Sequence, residues 1–176
     1  DFTKLQHRQD ARRKVEVEKP MFLVGSPPCT EVGSWQALNA ERYEWSEGVV
    51  ARRKRPARVH LDFVCELYRL QIARGRDFLH EHPDGAKSWS MAGIMAILDE
   101  PGVERVVCDQ CQYGQEDSSG RPIKKPTGWM SNSPELLKTL SSRCRPSKHG
   151  QCARPEGGEH RACEGSVARA AAVDPR

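Results

Sequence analysis

The stretch Val24-Gly25-Ser26-Pro27-Pro28-Cys29-Thr30 places a thiol on a stiff turn directly after the apolar run Met21-Phe22-Leu23-Val24. Each proline fixes its own φ and restricts the residue before it, so Cys29 is mounted with little backbone freedom. A helix starting near Thr30 would set its N-terminal dipole beside the sulfur and favour thiolate over thiol. Glu81 closes a second short run, Arg76-Asp77-Phe78-Leu79-His80-Glu81-His82-Pro83. A thiolate and a carboxylic acid held at one edge suit attack on an electron-poor ring. The acid protonates or hydrogen-bonds a ring nitrogen while the thiolate adds to carbon. The plainer alternatives are a buried structural thiol at Cys29 and a strand-end carboxylate at Glu81 paired with Arg76 or His80.

Metal chemistry is a second possibility. Cys108-x-x-Cys111 invites a zinc reading, with Cys144, His149, Cys152, His160 and Cys163 as distant partners. The spacing argues against it, because 32 residues lie between Cys111 and Cys144 and a zinc knuckle would need His where Glu116 stands. His80 and His82 would share one face of a strand but have no evident third ligand. No metal ligand set is therefore assigned. Seven cysteines without a secretion signal read as reduced thiols inside a cell.

The elements that would position these residues follow from pattern. Residues 1–19 are a polar lead-in, a short helix or loose segment ended by Lys19-Pro20. Residues 21–25 read as a buried strand. Val59, Phe63, Leu67 and Leu70 recur at helical spacing, with Leu61, Cys65 and Tyr68 beside them, and predict a helix over 57–75 ended by Gly75. A short strand follows at 76–82. Residues 88–98 read as a helix with Ser88 as N-cap, and 103–108 as a third strand. After the polar loop 115–127 come Trp129-Met130 and a short helix at 134–141. Strand, helix, strand, helix, strand predicts an α/β fold, a partial Rossmann-like parallel sheet. In such sheets ligands bind beyond the carboxyl ends of the strands. Cys29, Glu81 and the segment Gln110-Cys111-Gln112 all fall at that edge.

The domain reading is a lead-in at 1–19, one core at 20–142 and a Gly/Pro/Arg/Cys-rich tail at 143–176. The tail has almost no large apolar residues and is expected to be poorly ordered. With 37% hydrophobic and 6% aromatic residues in 176 and a mean hydropathy of -0.72, the core is lean and no membrane span is expected. The chain does not start with Met, which reads as a piece of something longer. The net charge is +4 and is clustered, with Arg52, Arg53, Lys54, Arg55 and Arg58 in one run and Arg12, Arg13 and Lys14 in another. Such runs attract polyanions, nucleic acid first, or simply coat a solvated helix entry.

Three ordered segments carry a resemblance. "GSPPCT" followed by "SWQ" resembles the nucleophile motif of cytosine-5 DNA methyltransferases. "EHP" at Glu81-His82-Pro83 resembles the acid motif of that family, and "CDQCQYG" followed by "KKPTGWMSN" resembles a later segment of phage-type and retroelement-borne relatives. Residues 20–175 are similar to a methyltransferase-like region of Copia-type retrotransposon polyproteins of dinoflagellates. The resemblance implies that a cytosine is flipped from the duplex and that Cys29 adds to its C6. Glu81 would hold N3 and the exocyclic amine, and C5 would take a methyl group from S-adenosylmethionine. Ser26, Pro28 and Gln112 would support the site. Arg52, Arg53, Lys54, Arg55, Lys124 and Lys125 would hold DNA phosphates.

Some positions depart from the family's pattern. Val32-Gly33 stands where the family has Phe-Ser, His82 stands for its Asn, and the glycine-rich loop for S-adenosylmethionine has no counterpart between Asp1 and Arg176. The expectation is thus a fragment that is inactive alone and belongs to a larger polyprotein. It would act inside the cell, in the nucleus if on host DNA. The alternatives are a non-enzymatic nucleic-acid-binding piece and a small zinc-binding module.

Overall fold

The structure, a computed structural model, describes residues 1–28, 42–43, 46–147 and 149–163. Cys29 lies outside the described residues, as does the side chain of Arg53. Helix α1 (Leu5–Glu18) leads into strand β1 (Phe22–Gly25), and α2 (Glu47–Ala73) then leads into β2 (Asp77–Pro83). A 3-10 turn (Lys87–Ser90) precedes α3 (Ala92–Leu98) and β3 (Glu104–Asp109). A second 3-10 turn (Gln110–Tyr113), β4 (Pro126–Ser131) and α4 (Pro134–Thr139) complete the order.

The fold is mixed α/β around a four-stranded sheet of order β1-β2-β4-β3. β1 and β2 are parallel, with Gly25 beside His80. β4 is antiparallel to both β2 and β3. β1, β2 and β3 therefore run the same way and end on one edge, as expected, but the sheet is not purely parallel. β4 is the correction: the segment around Trp129-Met130, for which no strand was expected, lies antiparallel between β2 and β3. Its Pro126 and Gly128 hide it from a propensity reading. A Cβ on Gly128 would lie 2.6 Å from Trp89 Cζ2 and 2.9 Å from an Arg105 nitrogen. The glycine makes room for the Arg105 guanidinium, which sits 4.2 Å over the Trp89 ring.

Helix α2 begins ten residues before the expected 57 and runs through Pro56. Pro56 is exposed, so the backbone group it leaves unpaired faces water. The helix buries two faces. Ala57, Leu61, Val64, Cys65 and Tyr68 pack with Phe78, Ile94, Ile97, Val103 and Met130. Phe63 and Leu67 pack with Val15 of α1, where Arg12 also donates to both oxygens of Glu66 at 2.6 and 2.8 Å. The expected helix at 88–98 is broken at Met91, and Ser88 is no N-cap but a buried group bonded to His82.

The described residues of the tail, 143–147 and 149–163, make hydrogen bonds of their own and to the 116–122 loop. Cys152 N–H donates to Gly158 O at 2.8 Å, and Arg161 N–H to Pro122 O at 2.8 Å. Arg154 reaches Glu116 Oε2 at 3.0 Å and Gly120 O at 2.7 Å. Among the described residues, no helix is long and apolar enough to cross a membrane.

Candidate functional site

Two clusters of reactive groups emerge, both at the edge where β1, β2 and β3 end. The first joins the Ser26-Pro27-Pro28 turn to the end of β2. Ser26 Oγ donates to Glu81 Oε2 at 2.6 Å. His82 Nε2 lies 2.8 Å from Pro27 O, and because a carbonyl only accepts, that nitrogen carries the proton. Ser88 Oγ then donates to His82 Nδ1. The two segments singled out by the resemblance are thus bonded to each other twice. His82 supports the turn and is not a metal ligand beside His80.

Glu81 is only 7% exposed. Its Oε1 is buried with no hydrogen-bond partner among the described residues. An unpaired buried carboxyl oxygen is costly and calls for a partner. One oxygen is held by Ser26, and the other has no partner among the described residues.

β2 is the most buried strand, yet its centre reads His80-Glu81-His82. His80 and His82 share the face turned to α2, with His80 Nδ1 3.0 Å from Tyr68 Oη. Burial pushes the His80 pKa down to about 3, and the neighbouring His82 adds to this. Burial also lowers His82, against the raising effects of Pro27 O and Glu81. Both rings are neutral at physiological pH. Gly25 permits the close approach at the turn, since a Cβ there would lie 2.0 Å from Tyr68 Oη. Tyr68 and Ser88 are the positioning residues that pattern reading missed. Polar side chains alternating inside the most buried strand were the available signal.

Gln112 does not support Glu81. Its amide donates to Cys111 Sγ at 3.6 Å and to Cys152 Sγ at 3.5 Å. These belong to the second cluster, in which one ligand atom each of Cys111, Cys144, Cys152 and His160 lies within 4.8 Å of all the others. Cys111, Cys144 and Cys152 are buried together. Burial and the adjacent thiols push Cys111 up to about 12, against the hydrogen bond from Gln112. Cys152 is lowered because hydrogen bonds from Arg154 N–H and the other two thiols outweigh its burial. Cys108 stays out of this group and accepts from Trp129 Nε1 at 3.1 Å.

Arg52, Lys54, Arg55 and Arg58 are exposed on the first turns of α2. With Lys87 and Met91 they line a groove of about 590 Å³. Because α2 crosses from the end of β1 to the start of β2, this groove lies toward the same sheet edge. Lys124 and Lys125 are not among the residues lining it. Lys124 Nζ donates to Cys144 O at 3.5 Å, and Lys125 is half-buried in the same loop.

A cleft of about 480 Å³ opens beside Ser26, walled by Val15, Leu23, Val64, Leu67 and Tyr68. Gly25 in it is backed by Tyr68 Oη rather than left open for a ligand, and the lining mixes those apolar side chains with Asp1, Lys14, Glu18, Ser26 and His60, so the described residues form no glycine-rich backbone cradle for S-adenosylmethionine. No step is assigned to that donor here.

No protein-family model matches the chain. No curated protein and no solved structure gives a significant match to it either.

Proposed function

We propose that the chain carries the base-side half of a cytosine-5 DNA methyltransferase-like site, with Cys29 as nucleophile and Glu81 as the group that holds the base. The observation that supports this is the pairing of Ser26 with Glu81, which leaves the buried Oε1 free. A flipped cytosine presents an accepting ring nitrogen beside a donating exocyclic amine, and a protonated Oε1 would donate to N3 while Oε2, which already accepts from Ser26, keeps a lone pair for the amine. The Rossmann-like descent belongs to the same reading, which is supported by three of the four strands running the same way, with Ser26 just beyond the end of β1 and Glu81 near the carboxyl end of β2. DNA is the partner, and the groove of Lys54, Arg55, Arg58 and Lys87 supplies phosphate contacts.

The chemistry of this half-site balances without a methyl donor. Cys29 thiolate forms a bond to C6, and the C5–C6 π electrons shift toward C5 and N3. Glu81, as the neutral acid, donates a hydrogen bond to N3 and so stabilises that charge. C5 takes a proton from water, loses a proton, and the C6–S bond breaks to return the thiolate. Methyl transfer to C5 would need a donor, and the step proposed for these residues is the addition to cytosine alone.

Duplex DNA carrying 5-azacytosine tests this, because its ring accepts a thiolate at C6 without a methyl donor. The expected result is a covalent adduct mapped to Cys29 by mass spectrometry and absent in Cys29→Ala. Salt-dependent DNA binding with no adduct would overturn the enzymatic reading and leave the nucleic-acid-binding one.

A further inference from the structure

The thiol cluster points to a site separate from the cytosine chemistry. We propose that Cys111, Cys144, Cys152 and His160 form a structural zinc site that folds the tail onto the end of β3. This inference does not rest on the methyltransferase reading.

The geometry is that of a tetrahedral centre. Zinc–sulfur bonds of about 2.3 Å and zinc–nitrogen bonds of about 2.0 Å place ligand sulfurs ~3.8 Å apart, and sulfur and nitrogen ~3.5 Å apart. Cys144 Sγ lies 3.7 Å from Cys152 Sγ and 3.4 Å from His160 Nε2. Three thiols and one imidazole suit zinc over the harder divalent cations. Four protein ligands complete its shell, leaving no position for water or substrate, so the role is structural.

The surroundings are those of a charged centre. Three thiolates and Zn²⁺ sum to one negative charge. Ala153 N–H donates to Cys144 Sγ at 3.5 Å, and Gln112 donates to Cys111 and Cys152. Such outer hydrogen bonds orient ligands and spread their charge. Lys124 lies beside Cys144. The fully buried Asp109 takes Cys144 N–H at 2.8 Å and Arg143 Nε at 3.1 Å, so it anchors the ligand loop to the end of β3.

The cluster also explains an otherwise unsupported fold. The described residues of 143–163 contribute almost no large apolar side chain, yet Arg161 N–H donates to Pro122 O and Arg154 to Gly120 O of the neighbouring loop. A metal bound only in the folded state supplies the missing stabilisation.

The test is metal analysis of the full chain purified under reducing conditions. One equivalent of zinc is expected, and Cys144→Ser and Cys152→Ser should retain less than a tenth of it. Cys65→Ser and Cys108→Ser, outside the cluster, should retain it all. As a check independent of variant folding, cobalt added to the chelator-stripped wild type should give the intense visible bands of tetrahedral coordination and the near-ultraviolet absorption of thiolate–cobalt charge transfer. Chelation should also speed tryptic cleavage after Arg143 and Arg161 at least tenfold while Arg105 stays protected. No zinc uptake by the reduced protein, an octahedral cobalt spectrum, or zinc lost equally in Cys108→Ser would each overturn the proposal.

Discussion

Glu81 and Cys144 are both buried beside the end of a strand, but different forces place them there. Glu81 sits in β2, the most buried strand, between the paired strands β1 and β4 and above a core of Tyr68, Phe78, Ile94 and Met130. Cys144 sits in a loop whose nearest buried companions are other cysteines. The first site is positioned by backbone pairing and apolar burial, and the second is held by ligand chemistry. Damage to the sheet should therefore disable the first site, whereas metal removal should release the second and leave the sheet folded.

Gly25→Ala should have the largest effect on this contrast. The new Cβ would fall 2.0 Å from Tyr68 Oη and 3.0 Å from Val64 Cγ1, so the turn bearing Ser26 must shift. The expected loss is about 3 kcal/mol in urea unfolding, the upper end for overpacking. If the variant is as stable as wild type, the close approach of β1 to α2 is not a constraint.

A smaller effect should follow pH. The folded pKa of His80 is depressed from 6.5 to about 3, so the unfolded state binds the extra proton between those values. The stabilisation is complete above about pH 6.5 and is lost as pH falls toward 3, by up to ~1.4 kcal/mol per pH unit. Unfolding at pH 7 and pH 5 should show that loss in the wild type and a clearly smaller one in His80→Gln. Equal losses would place the acid sensitivity elsewhere.

The two sites differ as much in what could be read from residue order. The first site was legible because its parts are short contiguous segments, each placed after an apolar run. β1, β2, β3 and the α2 stripe follow from apolar spacing. β4 does not, because Pro126, Thr127 and Gly128 remove the alternating pattern and Gly128 serves Trp89 and Arg105 instead. The start of α2 was obscured by its arginines and Pro56, whose tolerance depends on exposure rather than propensity. The thiol cluster was legible only as a longer set of candidates, Cys108, Cys111, Cys144, His149, Cys152, His160 and Cys163, from which spacing could not select four. Thirty-two residues lie between Cys111 and Cys144, then seven before Cys152 and seven before His160. Only the β4 excursion and the tail's hydrogen bonds bring those four together. Gln112 likewise sits at the expected edge but faces the sulfurs, a direction that chain position cannot reveal.

The most direct measurement of the account is tritium release from duplex DNA labelled at cytosine C5, with no methyl donor present. Addition of Cys29 to C6 makes C5 exchange its hydrogen with water, so the wild-type chain should release tritium. Glu81→Gln should lower release by roughly a hundredfold or more, the scale of a positioned acid. Ser26→Ala removes one bond to a buried carboxyl and should lower release up to about tenfold. Cys29→Ala should abolish it. Release that is absent in the wild type, or unchanged in Glu81→Gln, would contradict the site described here.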